Sequence, residues 1–474
     1  DRLQLLPGLI ETFKVLLKAF KEAGAGLIEL YEPALGLDLD PNWIEQITPT
    51  YNSLCQSTPI LLSTVFSSVN YLAPLLNHLK ISGLHLDIVR GPEQLELFLN
   101  TYPKDKFLSL GVIDGRNVFK ANLREVLQQV DVAHKKIGTR LWLATSCSLL
   151  HCPIDIKEET RLDPTLKSWL AFSVQKLEEL ALLKKGLDQG IKSIEADLRQ
   201  SDQIAQARQD NEFARNNTVR DRVQSIAVAD LNRKSPFPQR KIQQQEKLKL
   251  PPLPTTTIGS FPQTADIRKA RAAFRANHME ASEYHEFISH EIRMAIQHQN
   301  SLGLDVLVHG EAERSDMVEF FAEKLDGFLL TQNGWVQSYG SRCVKPPIIY
   351  GDVSRPKPMT VGWTHFAQSI TTRPVKGMLT GPITLMGWSF VREDLSREAV
   401  LLQLALAVRD EVEDLESAGI GIIQIDEPAF REGLPLRKGM RETWLKQAVN
   451  AFRLASSGVS DATQIHTHMC YSEF

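Results

Sequence analysis

Short apolar runs alternate with amphipathic stretches along the first half of the chain. The runs span residues 27–30, 60–65, 84–89, 107–113 and 141–145, and stretches such as 121–136 have the spacing of a helix with one apolar face. Strands that alternate with helices along the chain usually pair in parallel and are buried on both faces. The pattern therefore predicts a parallel sheet built from βα units.

The second half repeats this rhythm. Its predicted strands lie at residues 256–258, 305–308, 376–379, 422–425 and 464–468. A series of βα units of this length closes most naturally into a (β/α)8 barrel. The predicted fold class is therefore α/β with TIM-type barrels.

An internal repeat relates the two halves. Residues 23–35 (AGAGLIELYEPAL) and 418–430 (AGIGIIQIDEPAF) align without a gap, and each follows a stretch of helical period. This strand is the first of five in the first half but the fourth in the second half. If both halves descend from one duplicated eight-stranded barrel, the chain holds strands 4–8 of the first barrel and strands 1–5 of the second. Each barrel is then incomplete, and we expect a piece of a longer protein that lacks both ends.

The composition of the chain predicts two domains and a linker between them. An amphipathic helix at 166–187 is predicted to close the first barrel, so the first domain is 1–187. Residues 188–252 are rich in Gln, Arg, Asp, Asn and Lys and end in prolines, which predicts a charged, partly helical linker with a solvated face. The second barrel then occupies residues 253–474.

Charge and cysteine usage narrow the functional classes. The 474 residues carry a net charge of −3, so nucleic acid and anionic membranes are unfavourable partners and a small polar substrate fits better. Five scattered cysteines argue against a disulfide scaffold and for a reducing compartment. Without a long apolar run or a signal peptide pattern, we expect a soluble, cytoplasmic protein.

Polar residues follow most predicted strands of the second half. In a parallel barrel the active site is built at these carboxyl ends. The residues found there are Ser260, His309, Glu311, Asp426, Glu427, His466, His468 and Cys470.

Asp426 and Glu427 are neighbours on the chain and so point to opposite sides of their strand. Both could simply cap the following helix. The other copy of the repeat has Tyr31 in place of Asp426 but keeps Glu32 in place of Glu427. We therefore predict a functional role for Asp426 and a structural role for Glu427.

His466, His468 and Cys470 occupy alternate positions of one predicted strand, so their side chains leave the same face. Imidazole and thiolate are preferred ligands of Zn²⁺, which predicts half of a zinc site, although a His-x-Cys pair often occurs without metal. For His309 and Glu311 an alternative to a ligand role is a simple hydrogen-bonded pair at the end of a strand. For Cys343 the default is a buried structural thiol.

Several long motifs resemble cobalamin-independent methionine synthases. They are Thr255-Thr-Thr-Ile-Gly-Ser-Phe-Pro-Gln-Thr264, Leu307-Val-His-Gly-Glu-Ala-Glu-Arg314, the segment 333–347, Ile423-Gln-Ile-Asp-Glu-Pro-Ala429 and Gln464-Ile-His-Thr-His-Met-Cys470. The resemblance implies two barrels from a duplication, with zinc bound only in the second. It also implies methyl transfer from 5-methyltetrahydropteroyltri-L-glutamate, a folate, to homocysteine, by a monomer.

Carried over position by position, the resemblance implies a role for each site residue. His468 and Cys470 resemble two of four zinc ligands, with His466 beside them. Ile258 and Ser260 would bind the homocysteine carboxylate, and Glu311 and Asp426 its ammonium group. The folate-contacting positions are matched by Arg342, Cys343, Trp388 and Glu432, with Trp388 offering its face to the pterin ring.

The remaining zinc ligands and the proton-donating His of the family are expected after Phe474. Two ligands cannot hold a catalytic zinc ion, so we expect little or no activity from these residues alone. Two other hypotheses remain open at this stage. One is a barrel decarboxylase or corrinoid methyltransferase of similar architecture, and the other is a non-catalytic barrel scaffold.

Overall fold

A computed structural model describes residues 2–56, 58–338 and 340–470. The chain forms two compact units. Unit 1 contains the residues up to Gln209 together with Gln332–Val344 and Pro435–Glu442. Unit 2 contains Asp210–Thr331, Lys345–Leu434 and the residues from Thr443 onward.

The strands alternate with helices over most of the chain. In chain order the strands are β1 Ile28–Tyr31, β2 Ile60–Thr64, β3 Gly83–Asp87, β4 Phe107–Ile113, β5 Leu141–Thr145, β6 Asp326–Leu329, β7 Val336–Gln337, β8 Cys343–Val344, β9 Ile348–Ser354, β10 Lys376–Thr380, β11 Phe390–Val391, β12 Ile422–Asp426 and β13 Gln464–His468.

The helices cover the faces of these strands. In chain order they are α1 Leu6–Glu22, α2 Pro41–Leu54, α3 Ala73–His78, α4 Gln94–Thr101, α5 Leu123–Ile137, α6 Pro164–Ser168, α7 Ser173–Gln189, α8 Glu195–Asp210, α9 Asn217–Gln224, α10 Phe237–Leu248, α11 Ala265–Arg275, α12 Ala281–Leu302, α13 Glu319–Ala322, α14 Val361–Ser369, α15 Pro382–Gly387, α16 Arg397–Ser417 and α17 Arg441–Ser456. Within the described part of the chain, none of them is both long and apolar enough to cross a membrane.

Unit 1 is built on a five-stranded parallel sheet in the order β1-β2-β3-β4-β5. All five predicted strands of the first half are confirmed, as is the α/β class. Helix α5 shows why such elements form: the Asn122 side chain accepts from the Glu125 N–H at its start, and basic residues occupy its last turn. Its buried face, which includes Leu127 and Val130, packs into the core of this unit.

The predicted helix at 166–187 is interrupted in the structure. Helix α6 ends at Ser168 and α7 begins at Ser173. Between them the backbone pairs with residues 118–120, because the Lys120 N–H donates to the Trp169 carbonyl and the Ala171 N–H donates to that of Val118. Trp169 and Phe172 are buried here, so tertiary pairing overrides the helical spacing of the sequence.

Unit 2 contains a three-stranded parallel sheet in the order β10-β12-β13, at three of the predicted positions. The predicted strands at 256–258 and 305–308 are not regular strands. They contribute parallel bridges, between Ser260 and Gly310 and between Leu307 and Val375. Pairing stops at Gly310 because the backbone turns there with a φ of 89°, which a β-strand does not allow. These bridges place the segment at 305–308 beside β10, and the segment at 256–258 beside the one at 305–308.

A second sheet of unit 2, in the order β11-β9-β6, was not predicted. Its β6 and β9 are antiparallel, whereas the sequence pattern was interpreted as βα units alone. In unit 1, β7 and β8 form a short antiparallel pair.

Much of the predicted linker is helical and packs within unit 2. The Asn216 N–H and Arg220 Nε both donate to Asp352 Oδ2, at 2.8 and 2.7 Å. Arg392 donates to the other oxygen of Asp352. Some charges of the predicted linker are therefore paired with other side chains rather than solvated. The domain boundaries 1–187, 188–252 and 253–474 stay predictions.

The two copies of the repeat have the same local structure. In one, α1 is followed by Gly24 at a φ of 96° and then by β1. In the other, α16 is followed by Gly419 at a φ of 88° and then by β12. Glycine adopts this conformation without the strain that a Cβ would cause, which explains why the repeat keeps it.

Candidate functional site

The candidate site lies at the carboxyl end of the β10-β12-β13 sheet. In register, Thr380 pairs with Asp426, and Asp426 pairs with His468. The pairing therefore brings Asp426 and His468 to one level on adjacent strands. A cavity of about 410 Å³ reaches His468 and is lined by Thr256, Thr257, Ile258, Lys376, Gln424, His466, Thr467 and His468.

A chain of side-chain hydrogen bonds crosses the wall of this cavity. Lys376 Nζ donates to Gln424 Oε1 at 2.6 Å and to the Thr257 carbonyl at 3.0 Å. Gln424 Nε2 donates to Asp426 Oδ1 at 2.7 Å and to the Ile258 carbonyl at 3.0 Å. Burial lowers the pKa of Lys376, and the nearby carboxylates of Asp426 and Glu311 oppose that change.

Glu311 follows directly after the turn at Gly310. Its own φ is 61°, a left-handed conformation that is unusual for a residue with a side chain. Its carboxylate lies 3.5 Å from Arg314 Nη1 and touches Gly259, where a Cβ would come within 2.9 Å of Glu311 Oε1. Glycine at 259 therefore leaves room for the carboxylate.

Glu311 and Asp426 form an acidic pair whose charges interact. Burial raises the pKa of Asp426 to about 7, and the negative charge of Glu311 adds to the rise. The hydrogen bond from Gln424 and the charges of Lys376 and Arg314 act in the opposite direction. A bound cation would favour the ionised form of Asp426.

Arg314 contacts Glu311, one member of the acidic pair. It is buried, donates from Nη2 to the Met378 carbonyl at 2.7 Å and contacts Glu313 at 3.0 Å. His309 Nε2 lies 3.1 Å from the same Glu313 oxygen. Burial acts to raise the pKa of Glu313, but His309 and Arg314 outweigh it and lower that pKa to about 2. His309 thus pairs with Glu313, not with Glu311.

Glu427 is directed away from the cavity. Its carboxylate accepts hydrogen bonds from the backbone of Ile383 and from the backbone and hydroxyl of Thr384, at the start of α15. Burial nevertheless raises the pKa of Glu427 to about 7. These are the contacts of a carboxylate that caps a helix, in line with the structural role predicted from the repeat.

Ile258 and Ser260 lie on the segment that bridges to Gly310. The Ile258 side chain is 60% exposed, and its carbonyl is held by Gln424. Ser260 is exposed and pairs with Gly310, one residue before Glu311. The structure thus brings these two residues close to the acidic pair.

Strand β13 carries the predicted metal ligands. His466 Nε2 lies 2.8 Å from Gln464 Oε1, and burial together with Lys376 lowers the pKa of His466 to about 4. His468 ends the strand half-buried, and Cys470 follows it exposed. Among residues 2–56, 58–338 and 340–470, no group of three or more His, Cys, Asp or Glu side chains could hold a metal ion. An imidazole and a thiol suit zinc chemically, but they are only part of a ligand set.

The predicted folate positions fall in both units. In unit 2, Trp388 is half-buried and donates from Nε1 to Glu432 Oε2 at 3.0 Å. In unit 1, Arg342 and Cys343 lie in and beside β8 and both are exposed. The default of a buried thiol at Cys343 is therefore wrong, because a two-strand pair leaves it open to solvent.

Sequence reasoning missed Lys376, Gln424 and Arg314. A signal for the first two was available, because a lysine in a buried strand needs a partner and residues 424 and 426 share a face. The role of Arg314 depends on contacts with Met378, 64 residues away, which no local pattern indicates.

Two models of known protein families match this chain. The model of the catalytic domain of cobalamin-independent synthases matches residues 253–474, and the model of their N-terminal domain matches residues 1–138. The chain belongs to the cobalamin-independent synthase family. The resemblance stated from the motifs is confirmed.

Curated relatives cover all of this chain. A 5-methyltetrahydropteroyltriglutamate–homocysteine methyltransferase of Nitrosomonas europaea is 54% identical over 475 residues, and one of Burkholderia thailandensis is 53% identical over 475 residues. The chain spans 63% and 62% of the length of these two relatives. The expectation that the chain is inactive has no support in these matches and stays a prediction.

A solved structure is also similar. It is described as a B12-independent methionine synthase from Shewanella sp. W3-18-1 in complex with selenomethionine. The two sequences are 26% identical, and the TM-score is 0.39. The matched region covers 46% of this chain and 62% of the solved one.

Proposed function

We propose that the chain takes part in methyl transfer from 5-methyltetrahydropteroyltriglutamate to homocysteine, forming methionine without cobalamin. The two relatives named above carry this activity in their names. The structural observation that supports it is the acidic pair of Glu311 and Asp426, in which Asp426 accepts a hydrogen bond from Gln424 in the wall of the cavity. This pair offers two carboxylates to a substrate ammonium group.

Recognition of homocysteine would use both ends of its amino-acid group. The ammonium group would lie between Glu311 and Asp426, where it relieves the repulsion between their charges. The carboxylate would bind the backbone at Ile258 and the hydroxyl of Ser260, which is exposed and therefore accessible. Ser260 forms a β-bridge with Gly310, the residue before Glu311. This one bridge therefore holds the proposed carboxylate-binding and ammonium-binding residues together.

We also propose that His468 and Cys470 contribute two ligands to a zinc ion. Their donor atoms are of the kinds that zinc prefers, and the register places His468 level with Asp426. When bound, zinc would favour the deprotonated, nucleophilic form of the substrate thiol at neutral pH. Asp426 and Glu311 would hold the amino-acid end of the substrate on the neighbouring strand and loop.

Four residues are proposed to contact the folate. Trp388 could present its ring to the pterin, since its indole N–H is already fixed by Glu432. Arg342 and Cys343 are proposed as further folate contacts because they are exposed.

The architecture that fits this function is a pair of (β/α)8 barrels from a duplication. Unit 1 would supply strands 4–8 of the first barrel, and unit 2 strands 1–5 of the second. The order of parallel pairing in each unit and the shared local structure of the repeat support this proposal. Five free cysteines fit a reducing compartment such as the cytoplasm.

A binding experiment with homocysteine tests the proposed function. By titration calorimetry at pH 7.5 we expect this chain to bind homocysteine. Glu311→Gln should weaken binding by roughly 10- to 100-fold, because a charge-assisted hydrogen bond is lost. Asp266→Asn removes a carboxylate from an exposed site on α11 and should change affinity by less than about twofold. Wild-type chain that binds no homocysteine, in zinc-supplemented buffer, would overturn the proposal.

A further inference from the structure

Lys376 and Gln424 have no role in the function proposed so far, although both lie in the wall of the cavity. They sit on adjacent strands, Lys376 at the start of β10 and Gln424 in the middle of β12. Lys376 is only 2% exposed. Burying a lysine is costly unless its ammonium group is paired, so this position calls for an explanation beyond filling the core.

The hydrogen bonds of Lys376 decide which way the Gln424 amide faces. A lysine ammonium group can only donate, so the amide must turn its oxygen towards Nζ. The amide nitrogen then has to face the opposite way, towards Asp426 Oδ1 and the Ile258 carbonyl. A free glutamine could flip, but this one is held in a single orientation.

Both acceptors of the Gln424 amide belong to the proposed homocysteine site. Asp426 is one of the two acids for the ammonium group, and Ile258 lies in the segment for the carboxylate. A single NH2 group therefore joins the two ends of the site. Its two donor directions are both used, which fixes the distance between β12 and the segment at 256–260.

We propose that Lys376 and Gln424 are positioning residues that orient Asp426 and the Ile258 backbone for recognition of the substrate's α-ammonium group. This inference rests on the proposed function and adds to it the source of specificity for an α-amino acid. Both would act through other groups. Lys376 acts through Gln424, and Gln424 acts through Asp426.

The test compares two ligands that differ only in the ammonium group. These are homocysteine and 4-sulfanylbutanoate, which keeps the thiol and the carboxylate. Gln424→Glu replaces the NH2 group by an oxygen that repels Asp426 Oδ1. We expect it to weaken binding of homocysteine by about tenfold or more, and binding of 4-sulfanylbutanoate by less than about threefold.

A matched control exists in the same unit. Gln403 on α16 is also 2% exposed, and it also joins a carboxylate, Asp352, to a backbone group, the Val353 N–H. Gln403→Glu creates the same clash away from the cavity. It should lower stability without changing the affinity ratio between the two ligands.

Lys376→Met provides a second variant, because it releases the amide without adding a charge. It should shift the affinity ratio in the same direction as Gln424→Glu. Equal weakening of both ligands by both variants would show that the pair is only structural and would overturn the inference.

Failure of the proposed function can be told apart from failure of this inference. If the wild-type chain binds neither ligand, the proposed function fails. The positioning role is then decided by a crystal structure of Lys376→Met. A moved Asp426 carboxylate supports it, and an Asp426 in its original orientation overturns it.

Discussion

Charged side chains in the site are balanced residue by residue. Arg314 lies between Glu311 and Glu313, and His309 completes the group. Glu311 and Glu313 each lie within 3.5 Å of Arg314, so in this group the buried arginine is paired, which is the condition for keeping a charge inside a protein. Against the effect of burial, the charges of His309 and Arg314 lower the pKa of Glu313.

This lowered pKa predicts how stability depends on pH. Because the pKa of Glu313 falls from 4.5 to about 2 on folding, its contribution to stability is present above pH 4.5 and is lost as the pH falls towards 2. The full contribution is about 3 kcal/mol. Glu313→Gln should lower the free energy of unfolding near pH 7 and make its decline between pH 5 and 3 shallower.

Urea unfolding at several pH values measures both effects. Asp266→Asn, on the surface, should leave the pH dependence of the wild type unchanged. A Glu313→Gln variant with the wild-type decline would show that another acid is responsible.

At the residue scale, the sequence pointed to candidate acids but not to how they are held. Asp426 was identified by comparison with Tyr31 in the repeat, and Glu311 by its place after a predicted strand and by the family motif. Their partners could not be predicted in the same way. Arg314 reaches a carbonyl on β10, and Gln424 owes its orientation to a lysine on another strand.

At the element scale, regular strands were predictable and short or irregular ones were not. The runs that became β1 to β5 are apolar enough to identify a buried strand. The segments at 256–258 and 305–308 form only bridges, because a turn with positive φ follows at Gly310. The antiparallel pair of β6 and β9 has no counterpart in a simple βα pattern.

Close approach between elements gives the next prediction. Gly381 joins β10 to α15, and a Cβ there would lie 2.1 Å from Glu427 Oε1. Gly381→Ala should displace Glu427 from the start of α15 and cost about 1–3 kcal/mol. Gly362→Ala, in α14 with nothing within 4 Å, should be neutral or stabilise by about 0.5–1 kcal/mol.

Thermal unfolding followed by circular dichroism would compare the two variants. Equal melting temperatures for Gly381→Ala and the wild type would contradict the packing described for Glu427.

At the scale of the whole molecule, contacts between distant parts of the chain decide what each unit contains. Asp352 accepts from Asn216, Arg220, Arg392 and Gln403, which lie up to 136 residues away from it in the sequence. Composition predicted a solvated linker here. It could not reveal that the charges of residues 216–220 are satisfied by one buried carboxylate.

Removing the Asp352 carboxylate should release the segment at 216–220 from the rest of unit 2. Asp352→Asn leaves Arg220 without its ionic partner and removes one of the two carboxylates that pair with Arg392, which should cost about 3 kcal/mol or more. Limited trypsin digestion should then cleave faster after Arg215, Arg220 and Arg222.

Asp410→Asn is the matched control, because Asp410 pairs with Arg222 near the surface and such pairs contribute little. If both variants are digested at the wild-type rate, the Asp352 cluster does not hold the segment in unit 2.

The left-handed backbone at Gly310 and Glu311 has a consequence for protein engineering. Glycine and asparagine adopt such a conformation more easily than glutamate does. Directed evolution for heat resistance alone would therefore favour replacing Glu311, and in doing so it would remove a charge that is proposed to bind the substrate. A library built to improve this protein should keep position 311 fixed and seek its gains elsewhere.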